Sequence, residues 1–313
     1  MQTTAVVIKQ PQHLELVRLD LPAPAADEVV VDVEWSGIST GTERLLWSGA
    51  MPPFPGLAYP LVPGYESVGR VRAHSDLTAH LDGRRVFVPG ARCYGAISGL
   101  FGGAASRMVV PAARVLSVDE DLDEQGILLA LAATAYHVTR GDPAAQPGLI
   151  VGHGVLGRLL ARIAIAVGAV PPTVWEIAPG RRAGASGYRV CAPDADAGAV
   201  YARICDASGD ANVIDRLMSQ LGRGGEIALA GFYSRPLNFA FPPAFMREAR
   251  LRVCAEWEPA DLTGVRDLVA CGALSLDGLV THRFPATAAA DAYRTAFDDP
   301  ECLKMILDWR ACA

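Results

Sequence analysis

The chain has 313 residues, of which 51% are hydrophobic and 20% are charged, and this composition predicts a globular protein of about two domains. A net charge of −6 gives no reason to expect a nucleic-acid partner, and no apolar run of about 18 residues predicts a membrane span. Seven scattered cysteines without a C-x-x-C pair, and the lack of a signal-peptide pattern, predict a cytoplasmic protein without disulfides or structural zinc.

The first third of the chain predicts a β-rich domain. Residues 1–35 alternate short apolar runs with turns, and residues 28–35 form the clearest strand pattern. Residues 36–69 are rich in glycine and proline, which predicts a long ordered loop of the kind that carries function. Four aromatic residues lie in this loop. Packing explains any one of them, whereas four together indicate a broad, flat ligand. They are Trp47, Phe54, Tyr59 and Tyr65.

Residues 149–157 carry the most specific motif. A buried strand is predicted at 149–151, a complete G-x-G-x-x-G follows, and apolar residues then recur at helical spacing. The next predicted strand ends in an acid about 20 residues on, and this combination indicates a dinucleotide site. A glycine-rich turn without a ligand is the alternative. The residues placed at the cofactor are Gly152, His153, Gly154, Val155, Leu156, Gly157 and Glu176.

Each glycine of the motif has a physical role. Gly152 permits the tight turn, Gly154 lets the backbone approach a pyrophosphate, and Gly157 lets the helix pack against the strand. His153 is expected only to line the pyrophosphate, which free N–H groups at the helix N-terminus favour. Glu176 is expected to accept both ribose hydroxyls and to repel a 2′-phosphate, which predicts NAD. Arg181 lies near enough in sequence to weaken that repulsion.

The remaining elements predict the domain order. Strands and helices continue to alternate after residue 176, which is typical of a doubly wound parallel sheet. The last apolar run, 305–309, is expected to form an edge strand. We therefore predict an α/β protein with a β-rich catalytic domain over 1–118 and a dinucleotide-binding Rossmann domain over 119–257. A return segment over 258–313 is expected to complete the first domain.

Several short motifs accompany the dinucleotide fingerprint. They are Gly37-Ile38-Ser39, Pro63-Gly64-Tyr65-Glu66, Gly83-Arg84-Arg85-Val86 and Thr134-Ala135-Tyr136-His137. With the domain order, these motifs resemble the medium-chain dehydrogenase/reductase superfamily over essentially the whole chain. The resemblance implies a GroES-like fold for the β-rich domain and hydride transfer between an alcohol and a nicotinamide. Thr134 and Gly231 are further cofactor-binding candidates.

The substrate prediction comes from the amino-acid sequence of residues 37–44 and 63–66. These two segments resemble those of superfamily members that oxidise the 1-hydroxyethyl group of a bacteriochlorophyllide to acetyl in bacteriochlorophyll biosynthesis. The resemblance implies a tetrapyrrole substrate and a role in photosynthesis. The predicted contacts of this substrate are Trp47, Phe54 and Tyr59, with Arg44 or Arg92 expected to bind the ring carboxylate. A sugar or polyol dehydrogenase and a non-catalytic NAD(H)-binding module stay open as alternatives, and so does a homodimer.

Departures from the superfamily pattern argue against a metal. The resemblance implies that zinc-dependent members carry a cysteine where Ser39 or Thr40 stands and a histidine where Tyr65 stands, so only Glu66 remains of the usual site. They also carry a four-cysteine lobe where this chain has Cys93 alone. Hydroxyl groups are poor zinc ligands beside thiolate and imidazole. No metal is therefore expected.

Without zinc, a side chain must take the carbinol proton or pass it to water. Tyr65 is the first candidate, although packing against the substrate explains it equally well. His137 is the second candidate, with a structural histidine as the alternative. Ser39 and Thr40 are expected to hydrogen-bond the substrate oxygen or to relay its proton, unless they serve only the turn. Glu66 is included in the catalytic set and is expected to order the loop.

Overall fold

The computed structural model describes residues 1–312, and the chain divides into two compact units. The first comprises Met1–Ala130 and the segment that begins at Leu279, and the second is Leu131–Gly278. Within residues 1–312, every helix is too short or too polar to cross a membrane.

The elements are numbered along the chain. The strands are β1 (Gln2–Gln10), β2 (His13–Asp20), β3 (Glu28–Ile38), β4 (Leu61–Val62), β5 (Ser67–Arg72), β6 (Arg85–Val88), β7 (Ser98–Gly99), β8 (Arg107–Pro111), β9 (Leu116–Ser117), β10 (Leu149–Val151), β11 (Thr173–Trp175), β12 (Arg189–Cys191), β13 (Tyr201–Asp206), β14 (Leu221–Leu229), β15 (Arg250–Val253), β16 (His282–Pro285) and β17 (Met305–Asp308). The α-helices are α1 (Thr42–Ser48), α2 (Leu129–Thr139), α3 (Val155–Ala166), α4 (Ile214–Gln220), α5 (Phe241–Arg247), α6 (Pro259–Ala270) and α7 (Ala289–Asp298).

The first unit contains two sheets. One has the order β2-β1-β4-β7, and the other has the order β16-β17-β3-β5-β6-β9, with β8 also pairing with β3. The long strand β3 is central, because it pairs with β17, β5 and β8. The apolar residues of β3 are buried in the main core of this unit, and Ser39 directly follows the strand.

The last strand, β17, is not the edge strand that the sequence predicts. It pairs in parallel with β16 on one side and antiparallel with β3 on the other. Its residues Met305, Ile306 and Leu307 are all buried. Three consecutive apolar residues are typical of a strand covered on both faces, and here the strand is also flanked on both edges.

The predicted loop over residues 36–69 contains regular structure. Helix α1 occupies Thr42–Ser48 and ends at Gly49, whose φ of 74° is the left-handed conformation favoured by glycine. The glycines and prolines on either side hide this short helix in the sequence pattern. Glu43, which faces inward from the helix, is completely buried.

The second unit has a doubly wound parallel sheet, as predicted. Its order is β12-β11-β10-β13-β14-β15, and every neighbouring pair is parallel. From β10 the chain runs outward through β11 and β12, and then returns beside β10 with β13. The carboxyl ends of β10 and β13 therefore form the topological switch point, where ligands of such sheets bind.

The first boundary lies later than the predicted 118/119. Residues just after 118 are bound to the β-rich unit by charged contacts. Arg70 donates to Glu120 at 3.1 and 2.6 Å, and Trp35 Nε1 donates to Asp123 at 3.1 Å. These contacts join segments far apart in sequence, so the sequence pattern does not reveal them.

The second boundary lies later than the predicted 257/258. Helix α6 belongs to the second unit, because Glu258 at its N-terminus accepts two hydrogen bonds from Arg140. Arg162 also donates to the carbonyl of Ser275 at 2.9 Å. The return to the first unit therefore begins at Leu279.

Candidate active site

The glycine turn has the geometry of a dinucleotide cradle. Gly152 follows β10 with a φ of 97°, and a Cβ at Gly157 would lie 1.9 Å from the Gly152 carbonyl oxygen. A Cβ at Gly154 would meet nothing within 4 Å, so the space in front of this residue is open. Gly154 is also the N-cap of α3, whose first turn contains Val155 and Leu156. Free backbone N–H groups at this end favour an anion.

Glu176 lies directly after β11 and holds the glycine turn. Its Oε2 accepts a hydrogen bond from the His153 N–H at 3.0 Å, and its Oε1 accepts one from the Ala178 N–H at 2.8 Å. The carboxylate thus lies between the turn and the segment that follows β11. This is the position that the sequence assigns to the ribose-binding acid.

The ring of His153 is directed toward the segment that follows β11, and the lining role that the sequence predicts for this residue stays a prediction. The ring is buried, and its Nδ1 and Nε2 lie 2.7 Å from the Arg181 carbonyl and 2.8 Å from the Tyr188 hydroxyl. Burial lowers the pKa of His153, so the ring is neutral near pH 7. A neutral ring has one donor and one acceptor, which fits Nδ1–H donating to the carbonyl and Nε2 accepting from Tyr188.

Arg158, which is not among the predicted site residues, forms hydrogen bonds with the glycine turn and with residues 181–184. This side chain of α3 is buried and donates to the carbonyl oxygens of His153 and Ala183 at 3.1 and 2.9 Å. It also reaches the carbonyls of Arg181 and Gly184, both at 3.3 Å. Arg158 therefore fixes residues 181–184 against the glycine turn.

The other predicted cofactor residues occupy several elements. Arg181 lies in the turn Pro179–Arg182, and Thr134 lies half-buried in α2. Gly231 follows β14, and its N–H donates to the Asp206 carbonyl at 3.0 Å. Since β10 and β14 both flank β13, Gly231 and the glycine turn share the carboxyl edge of the sheet.

His137 has a partner that accounts for its position. Its Nδ1 lies 2.7 Å from Asp261 Oδ2, which also accepts the Glu258 N–H at 2.8 Å in the capping box of α6. The contact joins α2 to α6 within the second unit. It supports the structural alternative for His137 rather than the catalytic one.

In the first unit, the structure brings Ser39 and Tyr65 together. The Tyr65 hydroxyl donates to Ser39 Oγ at 2.9 Å, and Ser39 is 5% exposed. Burial, reinforced by the charge of Glu66, raises the pKa of the Tyr65 phenol well above its usual value. Tyr65 therefore keeps its proton near pH 7. It can donate or relay a hydrogen bond, but it is not available as a phenolate base. Thr40 lies half-buried next to Ser39.

Glu66 forms a buried ion pair with Lys304. The Lys304 Nζ lies 2.9 and 2.7 Å from the two carboxylate oxygens, and the residues are 2% and 0% exposed. A Cβ at Gly37 would lie 2.2 Å from Glu66 Oε2, so glycine is required there for this approach. The predicted ordering role of Glu66 therefore has a specific partner at the other end of the chain.

A second buried carboxyl, that of Glu43, contacts Ser39 directly. Glu43 Oε1 accepts the Ser39 N–H at 3.0 Å, and its Oε2 accepts the Tyr293 hydroxyl at 2.5 Å. Burial raises the pKa of Glu43 to about 7, although both hydrogen bonds oppose the rise. Glu43, Tyr293 and Lys304 are absent from the predicted site. The one signal in the sequence is that Lys304 is one of only two lysines.

These residues do not fit a zinc ion. Ser39 and Tyr65 are bonded to each other through hydroxyl groups, and the Glu66 carboxylate is neutralised by Lys304. Cys93 Sγ accepts a hydrogen bond from the Val109 N–H. Over residues 1–312, no three His, Cys, Asp or Glu side chains are grouped as metal ligands. A thiolate and imidazole set, which zinc prefers, is not present at Ser39 and Tyr65.

The predicted pigment-binding aromatics all have packing partners. Trp47 lies 5.8 Å from Phe297 between ring centroids, Phe54 lies 6.3 Å from Phe101, and the Tyr59 hydroxyl donates to the Leu46 carbonyl. All three predicted residues are half-buried, whereas Arg44 is exposed. Each of the three aromatic side chains is therefore held by a ring contact or a hydrogen bond, and part of its surface stays accessible.

The chain is similar to known dehydrogenases over its whole length. Residues 25–120 match the alcohol dehydrogenase GroES-like domain family. The chain is 55% identical over 311 residues to the 2-desacetyl-2-hydroxyethyl bacteriochlorophyllide A dehydrogenase of Rhodobacter capsulatus, with 99% of each chain covered. It is 54% identical over 318 residues to the protein of the same name from Cereibacter sphaeroides, with 100% of each covered.

Solved structures share the fold. An Escherichia coli protein named a short chain alcohol dehydrogenase, solved with NADH, matches with a TM-score of 0.84 and 22% identity, covering 98% of this chain and 99% of the other. The fold and the comparisons define a medium-chain dehydrogenase that acts on a hydroxyl group. The chain belongs to the 2-desacetyl-2-hydroxyethyl bacteriochlorophyllide A dehydrogenase family, and the predicted superfamily is confirmed.

Proposed function

We propose that the protein oxidises the 1-hydroxyethyl group of a bacteriochlorophyllide to acetyl, with NAD as hydride acceptor and without zinc. The observation that carries the substrate is identity of 55% and 54% over the full length to two dehydrogenases named for this pigment. The reaction belongs to bacteriochlorophyll biosynthesis. A polyol substrate has less support, because the L-galactonate-5-dehydrogenase of Escherichia coli is only 28% identical to the chain.

The cofactor half of the proposal rests on the glycine turn. The open space at Gly154 and the N-terminus of α3 would take the pyrophosphate, and Glu176 would accept the hydroxyls of the adenosine ribose. NAD, when bound, supplies the ring carbon that accepts a hydride. The buried carboxylate of Glu176 would repel the 2′-phosphate of NADP, which favours NAD.

The reaction removes a hydride from the carbinol carbon and a proton from its hydroxyl. Ser39 Oγ, oriented by the Tyr65 hydroxyl at 2.9 Å, is the group that would hold the carbinol oxygen. Because Tyr65 and Thr42 both donate to Ser39 Oγ, the Ser39 O–H would donate to the carbinol oxygen. Tyr65 retains its own proton, so the carbinol proton would pass to water rather than to this pair. Glu66 and Lys304 would keep this region ordered by their ion pair.

The substrate half of the proposal rests on an aromatic segment. Trp47, Phe54 and Tyr59 offer half-buried rings to a flat, apolar macrocycle, and their packing partners hold them in place. Rigid aromatic groups lose little entropy on binding. The exposed Arg44 would attract the carboxylate of the pigment.

The proposal includes a homodimer formed through β15. This strand is the outer strand of the parallel sheet, and its Leu251 and Val253 are exposed. Phe245 and Met246 of the preceding helix α5 are exposed as well. An open strand edge beside apolar side chains favours pairing with a second copy. Analytical ultracentrifugation should show a dimer that Val253→Lys weakens, and a monomer at all concentrations would contradict it.

The test of function uses purified protein, NAD and the 1-hydroxyethyl pigment. The expected result is a red-shifted acetyl pigment that forms with NADH in equal amounts. Metal analysis should find no stoichiometric zinc, and a chelator should leave the rate unchanged. Fast turnover of small polyols without reaction of the pigment would overturn the substrate. Zinc that restores activity lost to a chelator would overturn the metal-free site.

A further inference from the structure

A cluster of buried ionisable groups surrounds Ser39. Glu66 is paired with Lys304, and Glu43 accepts hydrogen bonds from Tyr293 and from the Ser39 backbone. Two carboxyls and one ammonium leave the cluster with one surplus negative charge when both acids are ionised. Since both oxygens of Glu66 are held by Lys304, Glu43 is the acid that can carry the compensating proton.

Glu43 is connected to Ser39 at two points. The Glu43 carboxyl accepts the Ser39 N–H, and the Ser39 carbonyl accepts the Glu43 N–H at 3.1 Å. The Ser39 hydroxyl in turn accepts the Thr42 N–H at 3.3 Å and the Tyr65 hydroxyl. The turn that carries Ser39 is therefore closed by Glu43, whose carboxyl is bonded to the backbone of the same residue.

The two neighbours of the carboxyl favour its ionised form. The Ser39 N–H and the Tyr293 O–H are both donors, and an ionised carboxylate is an acceptor at both oxygens. Burial and the nearby charge of Glu66 favour the protonated form instead. These opposing effects place proton loss from Glu43 near neutral pH.

We propose that Glu43 is a positioning residue whose ionised carboxylate fixes Ser39 for the reaction, so that loss of its proton activates the site. The inference rests on the proposed role of the Ser39–Tyr65 pair. The ionisable groups that face Glu43 are Tyr293 on α7, Glu66 and Tyr65 before β5, and Lys304 before β17. Burial raises the pKa of both tyrosines well above their usual range, so neither titrates near pH 7.

The kinetic test compares wild type, Glu43→Gln and Tyr293→Phe at saturating NAD and pigment. Because burial raises the pKa of Glu43 to about 7, wild-type kcat should fall about tenfold from pH 8 to pH 6, as expected for one essential ionised group. Glu43→Gln keeps an acceptor for Ser39 but loses the charge, so its kcat should be lower and independent of pH in this range.

Tyr293→Phe supplies the matched control for the kinetic test. It removes a donor that stabilises the ionised carboxylate, so the fall in kcat should move to higher pH while its size is retained. If the kcat of Glu43→Gln falls from pH 8 to pH 6 as the kcat of wild type does, the proposal is wrong. It is also wrong if the fall in the kcat of Tyr293→Phe moves to lower pH.

A melting series separates this inference from the proposed reaction. The pKa of Glu43 is raised from 4.5 to about 7 on folding, so its proton is bound more tightly in the folded state. The resulting stability is fully present below the unfolded value and is lost as pH rises to 7. The Tm of wild type should therefore fall relative to that of Glu43→Gln over this range.

The two experiments fail in different ways. If wild type does not oxidise the pigment, the proposed reaction is wrong, while the melting series still shows whether Glu43 holds the proton. If the Tm difference between wild type and Glu43→Gln does not change with pH, the inference is wrong even when the pigment is oxidised.

Discussion

Lys304 Nζ lies 2.7 Å from Glu66 Oε2, and both side chains are buried. The pair joins the start of β17 to the turn before β5 and thereby ties the end of the chain to the segment that carries Tyr65. The Lys304 ammonium is a fixed positive charge inside the β-rich unit, in a region whose residues do not fit a metal ion. The Glu66 carboxylate is thus held by a lysine of the chain.

The first prediction concerns this ion pair. Lys304→Met leaves the Glu66 carboxylate buried without its partner, so the free energy of unfolding should fall by about 3–5 kcal/mol. The double variant Lys304→Met with Glu66→Gln removes both charges and should recover much of the loss. Urea unfolding of the three proteins measures this. A single variant that loses less than about 1 kcal/mol would show that the pair is not needed.

The second prediction concerns Tyr65. Tyr65→Phe removes the hydroxyl that orients Ser39 Oγ and should lower kcat by roughly 10²-fold, while the KM for NAD changes little. Tyr94→Phe is a matched control, because its hydroxyl is also buried but donates to the Gly102 carbonyl. Steady-state kinetics give the kcat and the KM for NAD of both variants, which are compared with those of wild type. Near-normal turnover of Tyr65→Phe would assign this residue to packing.

The third prediction concerns cofactor choice. At an effective dielectric constant of about 20, a charge repulsion at about 4 Å costs on the order of 4 kcal/mol before screening. Wild type should therefore have a much higher kcat/KM for NAD than for NADP, and Glu176→Gln should reduce the preference. Equal kcat/KM for the two cofactors in wild type would contradict the proposed role of Glu176.

The fourth prediction concerns Arg158. Arg158→Met leaves the partly buried carbonyls of Arg181 and Ala183 without this donor, at about 1–3 kcal/mol, so the Kd for NADH should rise by up to roughly 5–150-fold. The KM for the pigment should not change. Arg162→Met, on the same helix, is the matched control, since Arg162 donates instead to Ser275 and Asp277. Fluorescence titration with NADH measures the Kd. Equal Kd values for both variants would show that the hydrogen bonds of Arg158 do not contribute to cofactor binding.

The sequence predicts the second unit well because its signals are local. The turn at Gly152, the close approach at Gly157 and the acid after β11 all lie within one βαβ unit, where spacing determines geometry. The conformation of the His153 side chain is different. Its partners, Arg181 and Tyr188, lie in an irregular segment whose path no periodic pattern describes.

The first unit shows why the candidate site is only partly predictable. Ser39 and Tyr65 stand in recognisable motifs, but the contacts of Glu43 with Tyr293 and of Glu66 with Lys304 join opposite ends of the chain. In the sequence, a charged residue that will be buried cannot be distinguished from an exposed one unless its partner is known. The position of β17 inside its sheet likewise depends on β16 and β3 rather than on its own composition.

The most direct test of the account is the absorption spectrum of the 1-hydroxyethyl bacteriochlorophyllide, followed during incubation with chelator-treated protein and NAD. The account predicts conversion to the red-shifted acetyl pigment, with one NADH formed for each pigment oxidised. An unchanged pigment spectrum, with protein that binds NAD normally, would contradict it.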